Sequence, residues 1–493
     1  MQHSEVVIVG SGFAGLCMGV RLKQAGIDDF VILEQGREIG GTWRDNRYPG
    51  CACDVPSHLY SFSFAQNPAW SRKYPRQGEL LAYTRQVADS FGLVPHVRLG
   101  AGLLAARWDH AAGLWRLQTA AGERTATTLV LGLGALGRPA YPQLPGLADF
   151  TGKTFHSARW DHDYDLHGKR VAVIGTGASA IQFVPEIAGK VARLDLYQRT
   201  PPWIMPRPDR AISRTEQWLM RRVPGYQQLF RGLLYVQHEA RVLGFVIDPR
   251  IMNVARMVAT RHIHRQIADP VLRRKVTPDY TIGCKRILVM NDYYPALTRQ
   301  NVDVITDGIR EVTPTGIITT TGELREVDAI IFGTGFAVAD PLGGIPIAGL
   351  DGRDLHAHWQ AEGVTAYRGS TIAGFPNLFM IAGPNTGLGH NSMIYMIESA
   401  VNYAVDAVKT LRSGLQAVDV RPEVQRAYNQ RLQQRLGKAV WASGCKSWYL
   451  GPDGHNFTLW PGFTFEYRWS TRRFDRENYH CQPATHAAAP PPM

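Results

Sequence analysis

A glycine motif that occurs twice constrains the fold of this chain more than any other feature. The strand-like run at 6–9 leads into Gly10-Ser11-Gly12-Phe13-Ala14-Gly15, followed by a helical segment and a second strand that ends at Glu34. A similar run at 169–174 leads into Gly175-Thr176-Gly177-Ala178-Ser179-Ala180 and another helix. In a strand–turn–helix–strand unit, such small residues allow a tight turn, the close approach of a pyrophosphate and close helix–strand packing. The sequence therefore predicts an α/β chain with two Rossmann-like dinucleotide-binding domains.

The second strand of each unit ends at a charged residue, and the two residues have opposite charge. This difference indicates which dinucleotide each unit binds. Glu34 lies 24 positions after Gly10, and Arg199 lies 24 positions after Gly175. Glu34 would accept hydrogen bonds from an adenosine ribose, whereas Arg199 offers a charge-assisted fork to a 2′-phosphate, with Thr200 as a further donor. We therefore predict FAD in the first site and NADPH in the second. The residues predicted to bind them are Gly10, Gly12, Gly15 and Glu34 for FAD, and Gly175, Gly177, Ala180, Arg199 and Thr200 for NADPH.

The length of the chain and the positions of these motifs predict its division into domains. At 493 residues, the chain is longer than a single hydrophobic core supports. A strand-like run at Val327–Phe332, followed by Gly333-Thr334-Gly335, suggests that the chain returns there to the sheet of the first unit. We predict an FAD-binding domain over 1–147 and 327–493, an NADP-binding domain over 148–206 and 283–326, and a helical insertion over 207–282.

Positive charge is concentrated in the predicted insertion. The net charge of the chain is +12, and residues 207–275 hold 14 Lys and Arg against 5 Asp and Glu. This stretch lacks the interleaved aromatic residues of a stacking platform and any DNA-reading motif, so we expect no nucleic acid partner. Two interpretations of the basic stretch stay open: a solvated helical surface, or a field that favours the approach of NADPH.

Three further observations narrow the class of protein. The strand at 6–9 begins too close to Met1 to leave room for a signal peptide, so we expect a cytoplasmic protein. Gly369–Ile397 lacks charged residues, but prolines and a turn interrupt it, which predicts buried core rather than an integral membrane segment. The six cysteines are scattered, and Cys51-x-Cys53 has no second pair to complete it, so we expect neither a disulfide scaffold nor a metal site.

Two more motifs lie in a fixed order around the glycine motifs. The segment from Gly41-Thr42-Trp43 through Tyr48-Pro49-Gly50 to Asp54 fits G-G-x-W-x-x-x-x-Y-P-G-x-x-x-D. The segment Phe150–Asp161 fits F-x-G-x-x-x-H-x-x-x-W-[P/D], with His156 and Trp160 at the two fixed positions. Together with the glycine motifs, these segments resemble the type I Baeyer–Villiger monooxygenases, and the resemblance covers almost the whole chain.

The resemblance implies an enzyme that oxygenates ketones to esters or lactones with FAD, NADPH and O2, through a C4a-peroxyflavin. Gly283-Cys284-Lys285-Arg286 resembles the family's G-x-K-R segment, which implies that Arg286 is the catalytic arginine that stabilises the peroxyflavin. Asp54 would stand beside Arg286, and Lys285 would neighbour the 2′-phosphate of NADP. The other positions implied to contact a cofactor are Thr42, Trp43, Asp54 and Tyr60 at FAD, and Trp448 of a mobile loop at NADP. His156 and Trp160 would link the domains rather than take part in the chemistry.

Competing interpretations share parts of this pattern. A heteroatom monooxygenase acting on sulfides or amines uses the same cofactors, and sulfoxidation is expected as a side activity. A non-catalytic NADPH-binding regulator is more distant, because Arg286 and Asp54 are both present. Disulfide reductases have a similar double architecture but need a closely spaced cysteine pair beside the flavin. Cys51-x-Cys53 has the wrong spacing for that pair, and Cys284 lacks a near neighbour.

The sequence leaves the substrate and the assembly open. The residues at 451–456 depart from those of the best-known cyclic-ketone enzymes, so linear, cyclic and aryl ketones all stay possible. The expected partners are therefore a small-molecule ketone and O2, and a monomer is the tendency of the family.

Overall fold

The computed structural model of the chain describes residues 2–338, 340–445, 447–451 and 454–484. The strands are β1 (Gln2–Val9), β2 (Phe30–Leu33), β3 (Val97–Arg98), β4 (Leu103–Asp109), β5 (Leu114–Thr119), β6 (Gly122–Leu131), β7 (Lys153–His156), β8 (Arg170–Ile174), β9 (Arg193–Tyr197), β10 (Ile204–Met205), β11 (Leu288–Val289), β12 (Val302–Ile305), β13 (Ile309–Thr313), β14 (Gly316–Thr319), β15 (Leu324–Glu326), β16 (Ala329–Phe332), β17 (Ile347–Ala348), β18 (Leu378–Met380), β19 (Leu415–Val420) and β20 (Tyr479–Pro483). The α-helices are α1 (Phe13–Gln24), α2 (Thr42–Asp45), α3 (Gln77–Ser90), α4 (Ala180–Ala188), α5 (Arg214–Arg222), α6 (Tyr226–Glu239), α7 (Met252–Gln266), α8 (Pro270–Val276), α9 (Tyr293–Leu297), α10 (Leu355–Glu362), α11 (Met393–Leu411), α12 (Pro422–Leu436) and α13 (Thr464–Ser470).

The first glycine motif lies at the centre of an eight-stranded sheet. The strand order is β17-β4-β5-β6-β1-β2-β3, and β18 pairs with β6 outside this path. β1 runs parallel to β2 and β6, whereas β4, β5 and β6 form an antiparallel meander. Val6, Val7 and Ile8 are all fully buried. Burial on both faces explains why this strand is a continuous apolar run rather than an alternating one.

The second glycine motif lies in a five-stranded parallel sheet of the same design. Its order is β12-β9-β8-β16-β7. β8 leads into the second glycine turn and pairs with β9 on one side, as β1 pairs with β2. The α/β fold with two Rossmann-like units is therefore confirmed.

The expected place of the strand after Val327 is wrong. β16 does not return to the first sheet, because it pairs in parallel with β7 and β8 in the second sheet. A short, fully apolar strand is typical of any buried parallel position, so its composition cannot tell one sheet from the other. The chain returns to the first sheet only at β17 and β18. We propose that the boundary between the two units follows Phe332 rather than preceding Val327.

The basic stretch folds into four helices, α5 to α8. Ser213 begins α5 with a capping box, in which its hydroxyl accepts from the Glu216 N–H and the Glu216 carboxylate accepts from the Ser213 N–H. Asp269 caps α8 by accepting from the N–H groups of Val271 and Leu272. The expectation of a helical insertion in this stretch is confirmed.

The uncharged stretch Gly369–Ile397 is core, as predicted. Ser370, Ile372 and Phe379 within it are fully buried, and β18 lies in its centre. Among the helices of the described ranges, none combines the length and the apolar character needed to cross a bilayer. The sequence of 487–493, with three prolines, predicts a disordered tail, and these residues lie outside the described part of the chain. Positions 452 and 453 of the segment that departs from cyclic-ketone enzymes also lie outside it.

Candidate active site

In the first glycine turn, the fold requires glycine at Gly10 and Gly15 but not at Gly12. Gly10 has a φ of +98°, and a Cβ built there would lie 2.6 Å from the Gly132 carbonyl oxygen. A Cβ at Gly15 would lie 1.9 Å from the Gly10 carbonyl oxygen. At Gly12 the nearest atom would be the Gly41 Cα at 3.5 Å, which is an ordinary contact. The protein's own packing thus leaves room at Gly12, where a pyrophosphate approaches the backbone.

The second glycine turn repeats this arrangement. Gly175 has a φ of +105°, and its Cβ would lie 2.5 Å from the Gly333 carbonyl oxygen. At Gly177 the nearest atom would be 3.9 Å away. No described side chain caps the N-terminus of α1, and α4 also begins without a side-chain cap among the described residues. Free N–H groups at a helix start favour an anion, so both turns fit the pyrophosphate of a dinucleotide.

Glu34 and Arg199, whose charges distinguish the two predicted cofactors, follow the ends of β2 and β9. The Glu34 carboxylate accepts from the Ser11 N–H and hydroxyl at 3.0 and 2.7 Å, and pairs with Arg44 at 2.6 Å. Burial would raise the pKa of Glu34, but these hydrogen bonds and Arg44 outweigh it and hold the pKa below its usual value. Contact of Glu34 with a ribose stays a prediction.

Arg199 and Lys285 lie close together although they come from opposite sides of the insertion. Burial and the nearby charge of Arg199 lower the pKa of Lys285. Like charges repel, so an anion bound near both cations would relieve this repulsion. The Thr200 carbonyl accepts from the Thr176 hydroxyl at 3.1 Å, which holds this strand end against the second glycine turn. The arrangement suits a 2′-phosphate.

Arg286 and Asp54 lie together, as the family resemblance implies. Arg286 Nη2 donates to Asp54 Oδ2 at 2.5 Å, and Arg286 Nη1 donates to the Leu388 carbonyl oxygen at 3.0 Å. Asp54 raises the pKa of Arg286. Burial would raise the pKa of Asp54, but the Arg286 guanidinium outweighs it, so the pKa lies below its usual value. Both groups are therefore charged at neutral pH.

The loop that carries Asp54 is anchored to the second unit. Gln182, on α4, accepts from the Tyr48 hydroxyl at 3.0 Å and from the Ala52 N–H at 3.2 Å, and donates to the Ala52 carbonyl oxygen. A Cβ at Gly50 would lie 2.7 Å from the Gln182 carbonyl oxygen, so only glycine permits this approach. The Tyr48-Pro49-Gly50 turn thus ties the position of Asp54 to the helix that begins at the second glycine motif.

The residues predicted to line FAD form one aromatic group. Trp43 and Tyr60 pack edge to face with ring centroids 5.7 Å apart, and Tyr60 packs against Phe13 at 5.3 Å. Thr42 begins α2 directly after Gly41, whose Cβ would lie 2.9 Å from the Gly12 Cα. This group therefore borders the first glycine turn. Tyr60 also lies near Asp54 and Arg286, whose charges both act on its pKa.

Trp448 and Tyr449 lie on the loop expected to close over NADP. Trp448 is 49% exposed, and its ring lies 4.4 Å from that of Tyr449, which is buried. Burial raises the pKa of Tyr449 to about 12, and Arg286 and Asp54 both act on it, so Tyr449 borders that pair. Closure of Trp448 over NADP stays a prediction.

A disulfide joins this loop to the segment that carries Arg286. Cys284 bonds to Cys445, 161 residues further along the chain, with Cα atoms 6.2 Å apart. Cys284 has no near neighbour along the chain, as expected, but folding brings Cys445 to it, which spacing in the sequence does not reveal. The other described cysteines, Cys17, Cys51, Cys53 and Cys481, are free.

His156 and Trp160 occupy packed positions among other side chains. His156 Nδ1 accepts from the Ala158 N–H at 3.0 Å, and burial lowers the pKa of His156 to about 4. Trp160 packs against Phe155 and Phe183, both at 5.2 Å between ring centroids. These contacts agree with a role in holding the second unit together.

Sequence reasoning missed two groups near the pair. Arg207 donates to the Cys53 carbonyl oxygen at 3.0 Å and helps to lower the pKa of Asp54. His390 is buried, with neither ring nitrogen hydrogen-bonded within the described part of the chain. Burial lowers the pKa of His390 to about 3, and Arg286 acts in the same direction. Both residues lie far from Asp54 and Arg286 in sequence, so no local motif could reveal them.

The chain is similar to named monooxygenases over nearly its full length. It is 57% identical over 483 residues to a protein of Pseudomonas aeruginosa named Baeyer-Villiger monooxygenase, covering 97% of this chain and 92% of the relative. Residues 7–228 match the family described as Pyridine nucleotide-disulphide oxidoreductase.

Solved structures agree with this similarity. An oxidized steroid monooxygenase bound to NADP matches with a TM-score of 0.87 at 31% identity, covering 98% of this chain and 100% of that one. The protein named OTEMO, in complex with FAD and NADP, matches with a TM-score of 0.87 at 25% identity, covering 97% of this chain and 99% of that one. The predicted cofactors, FAD and NADP, are thereby confirmed.

Proposed function

The chain belongs to the Baeyer–Villiger monooxygenase family, and from that premise we propose that Arg286 and Asp54 form the centre at which it oxygenates a ketone. The reaction would insert one oxygen atom of O2 between the carbonyl carbon and a neighbouring carbon, giving an ester or lactone. The other oxygen atom would leave as water, with the hydride of NADPH and one proton. Bound FAD, once reduced by NADPH, supplies the chemistry that activates O2.

One observation carries this proposal: the Arg286 guanidinium is fixed by two acceptors at once. The Asp54 carboxylate holds one of its terminal nitrogens at 2.5 Å and the Leu388 carbonyl holds the other at 3.0 Å. A preorganised, permanently charged donor stabilises negative charge on a reacting oxygen without reorganising during the step. Because a guanidinium does not give up its proton in this setting, it can stabilise that charge without protonating the oxygen.

Asp54 would act on the reaction through Arg286. Its carboxylate stays ionised beside the guanidinium, and Arg207 adds a second positive neighbour. This pairing limits the rotation of the Arg286 side chain and reduces the net charge around it. We therefore assign Asp54 a positioning role and Arg286 the contact with the reacting oxygen atoms.

The second unit would hold NADPH through its 2′-phosphate. Arg199 is exposed at the end of β9, and Lys285 lies near enough for Arg199 to lower its pKa. Lys285 Nζ lies 4.7 Å from the centre of the Tyr280 ring, which orients the ammonium group. Since Lys285 directly precedes Arg286, one segment would contact both the reductant and the reacting oxygen.

Oxygenation of sulfides would accompany the main activity. A sulfide is a soft nucleophile that accepts an oxygen atom without the negative charge that Arg286 would stabilise. We therefore expect sulfoxidation to depend less on Arg286 than ester formation does.

The test is product formation by the purified holoenzyme. It should be yellow, lose its colour with NADPH under nitrogen and regain it in air. A panel of linear, cyclic and aryl ketones should yield at least one ester or lactone in an NADPH- and O2-dependent reaction, identified by mass spectrometry. If NADPH is consumed and only hydrogen peroxide is found with every ketone, while a sulfide is oxidised, the heteroatom alternative replaces this proposal.

A further inference from the structure

The insertion exposes an apolar ridge that nothing in the chain covers within the described residues. On α6, Leu229, Leu233 and Val236 are 64%, 61% and 63% exposed. The ridge continues through Leu243 and Ile247 on the π-helical turn Leu243–Ile247 that follows. Leu229, Leu233 and Val236 follow one another at intervals of four and three, so they lie on one face of α6. Leu243 and Ile247 are the exposed apolar side chains of the helical turn that comes next in the chain. We call these five side chains the exposed ridge.

The next helix extends the same kind of surface. Val254 and Met257 on α7 are 60% and 66% exposed. Single exposed apolar side chains are normal on a protein, but a contiguous group of them marks an interaction surface. The exposed ridge and the outer face of α7 are therefore candidates for an interaction surface.

An exposed aromatic side chain lies on α13, which contacts α6. The Tyr235 hydroxyl on α6 lies 3.1 Å from the Thr464 hydroxyl, which begins α13. One turn further along α13, Trp469 is 71% exposed, and the Arg472 guanidinium lies 3.5 Å from its ring centre. A tryptophan paired with an arginine combines an apolar ring with a charged tip, a combination suited to the boundary between lipid and water.

The charge of this surface has one sign. Between residues 217 and 268 the chain holds eight arginines, no lysine and two acids, Glu239 and Asp248. Glu239 is buried, where it accepts from the Thr464 hydroxyl and from Asn391. Seven of the eight arginines are exposed, whereas Arg231 is partly buried and donates to the His58 carbonyl oxygen. The helices that carry the exposed ridge thus have a net positive surface charge, and an anionic partner is the complement of such a surface.

We propose that the exposed ridge docks on the surface of an anionic phospholipid bilayer. An amphipathic helix lies in the plane of the interface when apolar residues line one face and arginines flank it, and its binding grows with anionic lipid. A second copy of this chain is a poorer occupant, because docking two such faces would bring the arginines of both together. Crossing of the bilayer is not part of the proposal.

Docking would place lipid near the active site. The inner face of α6 holds Glu239, which binds Asn391 at 2.6 Å. Asn391 lies in the same loop as Leu388, whose carbonyl accepts from Arg286. Only the ~10–12 Å diameter of one helix therefore separates the ridge from the loop at the reacting centre. A ketone dissolved in the bilayer would reach the protein at this face.

The first experiment is sedimentation of the FAD-loaded protein with sucrose-filled vesicles. We expect it to sediment with vesicles of phosphatidylcholine and phosphatidylglycerol in equal parts, and at least about tenfold less with phosphatidylcholine alone. Added salt should release it, because screening weakens attraction to the lipid surface.

Variants separate the apolar from the charged contribution. Leu229→Glu with Leu233→Glu should lower the partition coefficient at least about tenfold. Arg256→Gln and Arg261→Gln should each lower it about fivefold. The matched control is Leu104→Glu, since Leu104 on β4 is 57% exposed but lies on the first sheet, and it should bind like the parent protein. Flavin content and activity on a water-soluble ketone should stay unchanged in all variants, which reports on folding.

Three outcomes overturn the proposal. The first is no sedimentation with anionic vesicles at low salt. The second is binding that the ridge variants leave intact, which would make the attraction purely electrostatic. The third is a dimer in analytical ultracentrifugation that Leu233→Glu dissociates, which would assign the ridge to a second copy.

Discussion

Arg286 and Asp54 are 232 residues apart in the chain, yet Arg286 Nη2 lies 2.5 Å from Asp54 Oδ2. Asp54 follows the first glycine unit, whereas Arg286 follows the insertion of the second. The ion pair is therefore a contact between the two nucleotide-binding units, and it forms only when both occupy their native positions. This dependence makes Arg286 the first residue to test.

Arg286→Ala should preserve reduction of the flavin by NADPH but lower ester formation at least about 100-fold, because one preorganised charge is lost at the reacting oxygen. Stopped-flow absorbance measures the first step, and product analysis measures the second. The matched control is Arg250→Ala, since Arg250 is 93% exposed and 4.0 Å from Asp248. If Arg286→Ala still forms ester, Arg286 does not stabilise the reacting oxygen.

Arg199→Ala should raise the KM for NADPH roughly 10- to 100-fold, the loss expected for a charge-assisted contact to the 2′-phosphate. The KM for NADH should change little, because NADH lacks that phosphate. Arg310→Ala is the control, since Arg310 is exposed on β13 and pairs with Glu311. Equal changes for both nucleotides would refute the phosphate assignment.

Gly12→Val and Gly177→Val should separate the two cofactors. An added Cβ would meet no protein atom closer than 3.5 Å at either position, so the first atom of the new side chain is accommodated by the fold. Gly12→Val should be purified largely without FAD, whereas Gly177→Val should keep its FAD and lose affinity for NADPH. Absorbance spectra and isothermal calorimetry make the measurement. Normal flavin content in Gly12→Val would contradict the assignment of the first glycine turn to FAD.

Reduction of the Cys284–Cys445 disulfide should lower the free energy of unfolding by about 2–5 kcal/mol, because the bond closes a long loop in the unfolded chain. Denaturant titrations with and without dithiothreitol measure the difference. The variant Cys284→Ser should match the reduced protein, and Cys481→Ser should match the oxidised one. The denatured, unreduced protein should also show four thiols rather than six; six would show that the bond is absent.

Asp419 predicts a pH dependence of stability. Its carboxylate accepts from the Gly374 N–H, yet burial raises its pKa to about 7. Since the folded chain holds this proton more tightly than the unfolded chain, the contribution of Asp419 is complete below about pH 4 and is lost as the pH rises to 7. Relative to the parent protein, Asp419→Asn should gain about 1–3 kcal/mol between pH 4 and 8 in urea titrations. If the exposed control Asp307→Asn gains as much in the free energy of unfolding, the pH dependence does not come from Asp419.

Local features were predictable because a repeated pattern specified them. The spacing from Gly10 to Glu34 and from Gly175 to Arg199 placed both side chains at strand ends, and β2 (Phe30–Leu33) ends directly before Glu34, where the second strand was expected to end. A local sequence pattern also relates β16, whose sheet was wrongly expected, to a strand of the first unit. Leu131-Gly132-Leu133-Gly134 after β6 and Phe332-Gly333-Thr334-Gly335 after β16 are the same pattern, and each first glycine meets the glycine turn of its own unit.

Contacts between distant segments were not predictable in this way. Arg207 approaches Asp54 across 153 positions, and Cys445 reaches Cys284 across 161. Each depends on how the insertion and the C-terminal loops pack over the first sheet, and no spacing rule encodes that packing. The Arg286–Asp54 pair was expected only because the motifs around both residues resemble those of a known family.

The position of β16 between β7 and β8 has a consequence for synthesis on the ribosome. β7 and β8 are made early, but the strand that joins them is completed only when residue 332 has been added. At ~5–20 residues per second, the facing edges of β7 and β8 wait on the order of ten seconds without their partner. Unpaired parallel edges are sites of wrong association between nascent chains, so the yield of this protein should depend on chaperones and on the rate of translation through the insertion.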